Sequence, residues 1–146
     1  EQPFKITSIS SENIKLFSPQ TTADALFNSG DIFVQKSQQA GGSPMIRGFS
    51  ANRVLITIDG LRFNNAIFRS GNLQNIINID PFIIDNTEII FGPGSVLYGS
   101  DAIGGVMNIK TKDPILAINS KQFITGNAQT RFSSANNELS SHFNIN

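Results

Sequence analysis

Val54-Leu55-Ile56-Thr57-Ile58-Asp59-Gly60-Leu61-Arg62-Phe63 is the stretch on which the fold turns. Its first five residues are almost continuously apolar, the pattern of a strand buried on both faces, so this strand is expected to sit centrally in a sheet. Asp59-Gly60 follows as a two-residue link whose members both tolerate positive φ, which predicts a hairpin spanning Val54 to Phe63. Upstream, residues 3 to 10 place β-branched residues between turn formers and predict a short strand, and Ser11 followed by Glu12 predicts a short helix ended by Pro19. Thr21, with Asp24 three residues later, has the form of a capping box before Ala25, Leu26 and Phe27, with Gly30 as the terminator of a second helix. Asp31 to Lys36 is a strand candidate, and Gln38 to Pro44, with Gly41-Gly42, reads as a loop.

Downstream of the hairpin, Asn64 to Asn75 is too irregular for an element and too aromatic for a plain linker, which marks it as a functional loop. Thr87 to Phe91 reads as a strand, Gly92-Pro93-Gly94 as its break, Ser95 to Tyr98 as a helical turn and Val106 to Lys110 as a further strand. The expected core contains Leu26, Val54, Ile56, Ile58, Ile89, Val106 and Ile109. Beyond Asp113-Pro114 the texture changes. Ile124, Gly126, Ala128, Thr130 and Phe132 alternate with Phe123, Thr125, Asn127, Gln129 and Arg131, and Leu139, Ser141, Phe143 and Ile145 alternate with Ser140, His142, Asn144 and Asn146. Segments of about ten residues with this alternation are the signature of membrane β-barrel strands. A soluble antiparallel hairpin gives the same pattern, so the stretch by itself leaves both readings open.

Composition removes several function classes. The 146 residues carry eleven Lys and Arg against eleven Asp and Glu, so no global field concentrates nucleic acid or pulls the chain onto an anionic surface. With no Cys and only His142, thiolate metal sites, Cys nucleophiles and His-rich clusters are excluded. Thr87 to Leu97 imitates a strand, glycine loop and helix that would cradle a pyrophosphate. However, Leu97 stands where a third glycine belongs, Pro93 removes an amide donor, and no Lys-Ser/Thr follows a glycine. Gly-x-Ser-x-Gly is absent as well. Asp59 and Asp80 are read as turn residues, and Arg47, Arg53, Arg62 and Arg69 as solvated or ion-paired cations, leaving no catalytic residues, no metal site and no implied cofactor.

Three separated motifs together resemble one family: Met45-Ile46-Arg47-Gly48-Phe49, Arg53 through Gly60, and Phe91-Gly92-Pro93-Gly94-Ser95-Val96-Leu97-Tyr98-Gly99 running on to Gly104-Gly105-Val106-Met107-Asn108-Ile109-Lys110-Thr111. In order and spacing they are similar to the plug domain of TonB-dependent outer-membrane receptors. The resemblance implies an α+β fold, a small mixed-sheet plug domain with short helices over 1–113. Residues 114–146 would then be the linker and first two antiparallel strands of an outer-membrane β-barrel of about 22 strands. It implies a non-enzymatic uptake component in the cell outer membrane, with the plug inside the barrel lumen. The implied partners are its own β-barrel, the outer membrane, an extracellular ligand such as haem, a siderophore or another scarce nutrient, and periplasmic TonB acting through a segment upstream of Glu1; nucleic acid is not among them. A stand-alone soluble α+β binding or adhesion module is the alternative from another class.

Within the family, Asn64 to Asn75 and Phe91 to Ser95 look most like plugs of haem or haemoglobin receptors, although Asn72 stands where such receptors often place a histidine. Phe68, Arg69 and Asn72 are the expected ligand-binding residues, with Asn64 and Asn65 fixing the base of their loop, because Phe and Arg can dominate binding by stacking and bidentate hydrogen bonding. Arg47 is the expected plug-barrel contact. Family plugs often pair that arginine with a second one just before the glycine-proline turn, where this chain has Phe91.

Overall fold

The computed structural model describes residues 5–36, 42–50, 53–63, 75–116 and 124–146. The chain divides into two compact units, Glu1–Thr111 and Lys112–Asn146.

In the first unit, β1 (Ile6–Ser10) leads directly into α1 (Ser11–Phe17). The helix starts at Ser11 as expected and is capped by Ser10, which stays extended, with φ −76° and ψ 159°, and whose side chain accepts from the Asn13 N–H. Glu12 falls in the first turn, where the dipole favours it, and Ser18 ends the helix at φ 42°, just before Pro19. The capping box is present at α2 (Thr22–Asn28), where Thr21 accepts from Asp24 N–H and Asp24 accepts from Thr21 N–H. β2 (Phe33–Gln35) pairs antiparallel with β3 (Ser43–Met45).

The main sheet adds β4 (Val54–Ile58), β5 (Leu61–Arg62), β6 (Ile84–Phe91) and β7 (Gly105–Thr111) to β1, in the order β1-β6-β7-β4-β5. Only β4 and β7 run parallel; the other pairs are antiparallel, so the sheet is mixed and the unit is α+β. The Asp59-Gly60 hairpin forms as expected, with φ of 49° and 79° at its two turn residues. The central place goes to β7, however. β4 lies one strand further out, between β7 and its two-residue hairpin partner β5, which forms the edge. β6 also begins earlier than the sequence suggests, because Pro81–Ile83 forms a 3-10 turn capped by the Asp80 side chain and the strand starts directly after it.

One face of the sheet presents Ile9, Val54, Ile56, Ile89, Phe91, Met107 and Ile109 to Ile14, Ala23, Ala25 and Leu26 of the helices, with Val34, Ile76 and Ile79 completing the cluster. Of the expected core, six residues are buried here or on the other face, and Ile58 packs against the cluster partly buried. The opposite face is divided. Leu55, Val106 and Ile90 pack with Ala102, while the next row across the strands is polar: Thr57, Asn108 and Glu88 hydrogen-bond in sequence.

The second unit holds β8 (Gly126–Ser133) and β9 (Glu138–Ile145), an antiparallel pair with Asn137 at φ 52° in the turn. Register sets Phe132 opposite Leu139, Thr130 opposite Ser141 and Ala128 opposite Phe143, while Arg131 meets Ser140 and Gln129 meets His142. The two alternations are therefore in phase. All the large apolar side chains fall on one face, with Thr130 and Ser141 between them, and the charged and amide side chains and His142 fall on the other, where Arg131 pairs with Glu138.

Candidate functional site

Asn64, Asn65, Phe68, Arg69 and Asn72 all lie outside the described residues. The segment leaves from Phe63, whose N–H donates to Ile56 O at 2.8 Å, and returns at Asn75–Asn78, a 3-10 turn in which Ile76 is fully buried. Both of its anchors therefore belong to the core of the first unit.

Arg47 occupies a position that its sequence did not disclose. Ile46 and Phe49 donate to each other's carbonyls at 2.9 Å in both directions, closing a two-residue turn around Arg47 and Gly48. Both turn residues have positive φ, 49° and 85°, the type I′ geometry of tight hairpins. Gly48 adopts this without penalty, whereas Arg47 does so at a cost of about 1–2 kcal/mol, so a strained backbone holds an exposed arginine at the tip. Its guanidinium carbon stands 5.6 Å from the centre of the Phe91 ring, within the range of a cation–π contact. Among the described residues Arg47 meets no carboxylate.

Phe91, expected as the end of a strand and standing where family plugs often carry an arginine, has a contact role that the sequence does not signal. It is the last residue of β6, only 6% exposed, and it receives a second cation: Lys5 Nζ lies 5.0 Å from the ring centre. Phe91 N–H also donates to Lys5 O at 3.0 Å, and Lys5 Nζ bonds Asp31 Oδ1 at 2.9 Å. A single ring thus joins the start of β1 to the Arg47 turn, and Lys5 extends the connection to Asp31 in the link between α2 and β2. Nothing local in the sequence signals this, because the three segments are 26 or more residues from one another or from Phe91, apart from Arg47 and Asp31.

The glycine-rich segment after Phe91 is a packing device. Gly94 N–H donates to Ala102 O, and Gly104 N–H donates to Arg53 O at 2.7 Å, which folds α3 (Ser95–Tyr98) back on the sheet. A Cβ on Gly104 would fall inside the Phe49 side chain, so close approach to the Arg47 turn requires glycine there. Of the other arginines, Arg62 pairs with Asp101 and Arg53 is exposed. Asp80 caps its 3-10 turn, and Asp59 Oδ1 and Oδ2 accept from Thr111 N–H and hydroxyl at 2.8 and 2.7 Å. These two bonds, the backbone one first, hold the Asp59 carboxyl below its ordinary value of 3.8. His142 lies on the polar face of the hairpin, opposite Gln129. Among the described residues no group of carboxylates or His is placed to hold a metal ion, and no helix is long and apolar enough to cross a membrane.

Comparison with known proteins gives these features a context. The family described as TonB-dependent Receptor Plug Domain matches residues 1–106. A vitamin B12 transporter of Vibrio vulnificus strain CMCP6 is 40% identical over 107 residues, covering 72% of this chain and 17% of the relative. The hemin receptor of Yersinia enterocolitica is 30% identical over 114 residues, covering 77% of this chain and 16% of the relative. The chain therefore spans less than a fifth of the curated relatives it matches. Among solved structures, the pyoverdine outer membrane receptor of Pseudomonas aeruginosa PAO1 superimposes with a TM-score of 0.75 at 22% identity, over 99% of this chain and 19% of that one. The ferric yersiniabactin uptake receptor of Yersinia pestis gives 0.67 at 21% identity, over 97% and 21%.

Proposed function

The chain belongs to the TonB-dependent receptor plug domain family, and from that membership we propose that it closes the barrel of an outer-membrane active-transport receptor and opens when TonB draws on it. Residues 1–113 are the plug and 114–146 the linker and first two barrel strands. The observation that carries this reading is the hairpin. Its apolar face is left open, with Phe132 68%, Phe143 75% and Ile145 84% exposed, while its other face is polar. That division suits a strand pair with lipid on one side and a hydrated lumen on the other. Surface residues of the first unit point the same way, since Val96 and Leu97 of α3 stand 94% and 77% exposed and call for a covering wall.

The chain itself performs no catalysis; the relatives named above are transporters and receptors. Its cargo is a scarce nutrient of the class those names print, a metal-carrying compound such as a corrinoid, a haem or a ferric siderophore. Phe68, Arg69 and Asn72 help to capture it from outside, Asn64 and Asn65 fix the loop, and Arg47 contacts the barrel. Fractionation tests the main reading: the full-length product should appear in the outer membrane as a heat-modifiable barrel much larger than this chain. Recovery as a soluble protein overturns it in favour of a binding module. For the loop, Phe68→Ala, Arg69→Ala and Asn72→Ala in the full-length receptor should weaken ligand binding by about 1–2 kcal/mol at one or more positions. Unchanged affinity in all three moves recognition to the barrel loops.

A further inference from the structure

Arg47 is held in a backbone conformation that arginine disfavours, and its guanidinium stands against the Phe91 ring at the end of β6. We propose that Phe91 is the positioning residue of Arg47, and that pairing of β1 with β6 keeps Phe91 in that role. Arg47 then presents its guanidinium in one place only while the first strand is docked. The inference deepens the reading of Arg47 as a plug-barrel contact and rests on it, because it states what controls that contact.

The geometry gives β1 three holds on Phe91. Lys5 and Phe91 are adjacent across the ladder, with Phe91 N–H bonded to Lys5 O. The pairing of Ile6 with Ile90 in an antiparallel ladder gives the next bond to Thr7 N–H and Ile89 O, so the backbone of β6 is pinned on both sides of Ile90. The Lys5 ammonium lies over the same ring and is neutralised by Asp31, which reduces its repulsion of Arg47. The strand is at the edge of the sheet, so its release exposes β6 and costs no other strand its partner. Phe91 is the terminal residue of β6, next to Gly92 at φ 107°, and without β1 its ring loses both the bond that fixes its backbone and the cation that covers it. A leucine at 91 would fill similar space in the core but offer no π face to the guanidinium.

The experiment measures the reactivity of Arg47 toward an arginine-specific dicarbonyl, p-hydroxyphenylglyoxal, by mass spectrometry of the purified full-length protein, with Arg53 as the exposed internal reference. Phe91→Leu should speed modification of Arg47 about two- to fivefold, the change that loss of one cation–π contact implies. Phe91→Tyr, which keeps the π face, should restore the wild-type rate. Thr7→Pro, two residues along β1 from Lys5, should also speed it, because proline removes the donor to Ile89 O. Equal rates in Phe91→Leu and Phe91→Tyr reduce Phe91 to core filling and overturn the proposal. A rate at Arg47 unmoved by Thr7→Pro overturns the control by β1. Reactivity can refute this inference while the protein fractionates as an outer-membrane barrel. Recovery as a soluble protein refutes the plug reading separately.

Discussion

The β4–β7 pair of the first unit and the β8–β9 hairpin of the second draw on similar strand-forming residues and reach opposite states. Val54, Leu55 and Ile56 are each 2% exposed or less, whereas Phe132, Leu139, Phe143 and Ile145 are each at least 68% exposed. The contrast is one of layers. β4 has strands on both sides, helices over one face and Ala102 with its neighbours over part of the other, so its apolar surface leaves water within the unit. Two strands alone have no second layer, and an isolated hairpin is marginal in water. The hairpin therefore leaves its apolar face uncovered within its unit, and the plug sheet does not.

The largest expected effect follows from that difference. Ile56→Ala, at a side chain 1% exposed within the main core, should destabilise the first unit by about 2–5 kcal/mol in urea unfolding of the full-length protein's plug. Phe143→Ala, in water, should stay within about 0.5 kcal/mol. Comparable losses at the two sites would break the comparison. The next effect reverses the roles by changing the medium. In the membrane-inserted receptor, Phe143→Arg should cost about 2–4 kcal/mol near the bilayer midplane, falling to about 0–1 near an interface. His142→Arg, on the polar face, should be nearly silent. Denaturant midpoints in lipid vesicles read both, and an equal loss at 142 and 143 would show that the two faces do not meet different media.

What the sequence disclosed follows the same division between local and distant causes. The capping box of Thr21 and Asp24, the Asp59-Gly60 turn and the alternation through 145 are each decided by neighbours a few residues apart, and each is found. The start of α1 at Ser11 is found as well, and the structure adds its cap, Ser10, whose extended conformation lets its hydroxyl accept from Asn13 N–H. The Arg47-Gly48 turn is local but hidden, since arginine does not advertise positive φ as asparagine or aspartate does. The parallel pairing of β4 with β7 and the pairing of β1 with β6 join residues about 50 and 80 positions apart, and no spacing rule reaches that far. Phe91 shows the consequence for the site. Its role comes from Lys5 and Arg47, which arrive from elsewhere in the chain, so the motif comparison could register only that arginine was not there.

The smallest effect sharpens the comparison at the point where the first unit ends. Thr111 is the last residue of β7 and of that unit, and Asp59 holds it through two hydrogen bonds from the hairpin turn. Those bonds, with a smaller contribution from Lys110, lower the Asp59 pKa below 3.8. A carboxylate depressed in the folded state stabilises it fully above the unfolded value, and that contribution disappears as pH falls through the lower folded value. The clip should therefore be complete at pH 7 and open only in the acid range below about 3.8. Asp59→Asn preserves a residue that tolerates positive φ and retains one oxygen acceptor, but removes the charge that strengthens both bonds. Exchange of the Thr111 amide should be faster in Asp59→Asn than in the wild type at pH 7, and the two should converge as the wild-type carboxylate protonates. A difference that persists unchanged into strong acid would mean that turn geometry, and not the charge on Asp59, fixes the end of β7. Global stability should move little in either case, since the group is exposed and lies outside the core of the first unit.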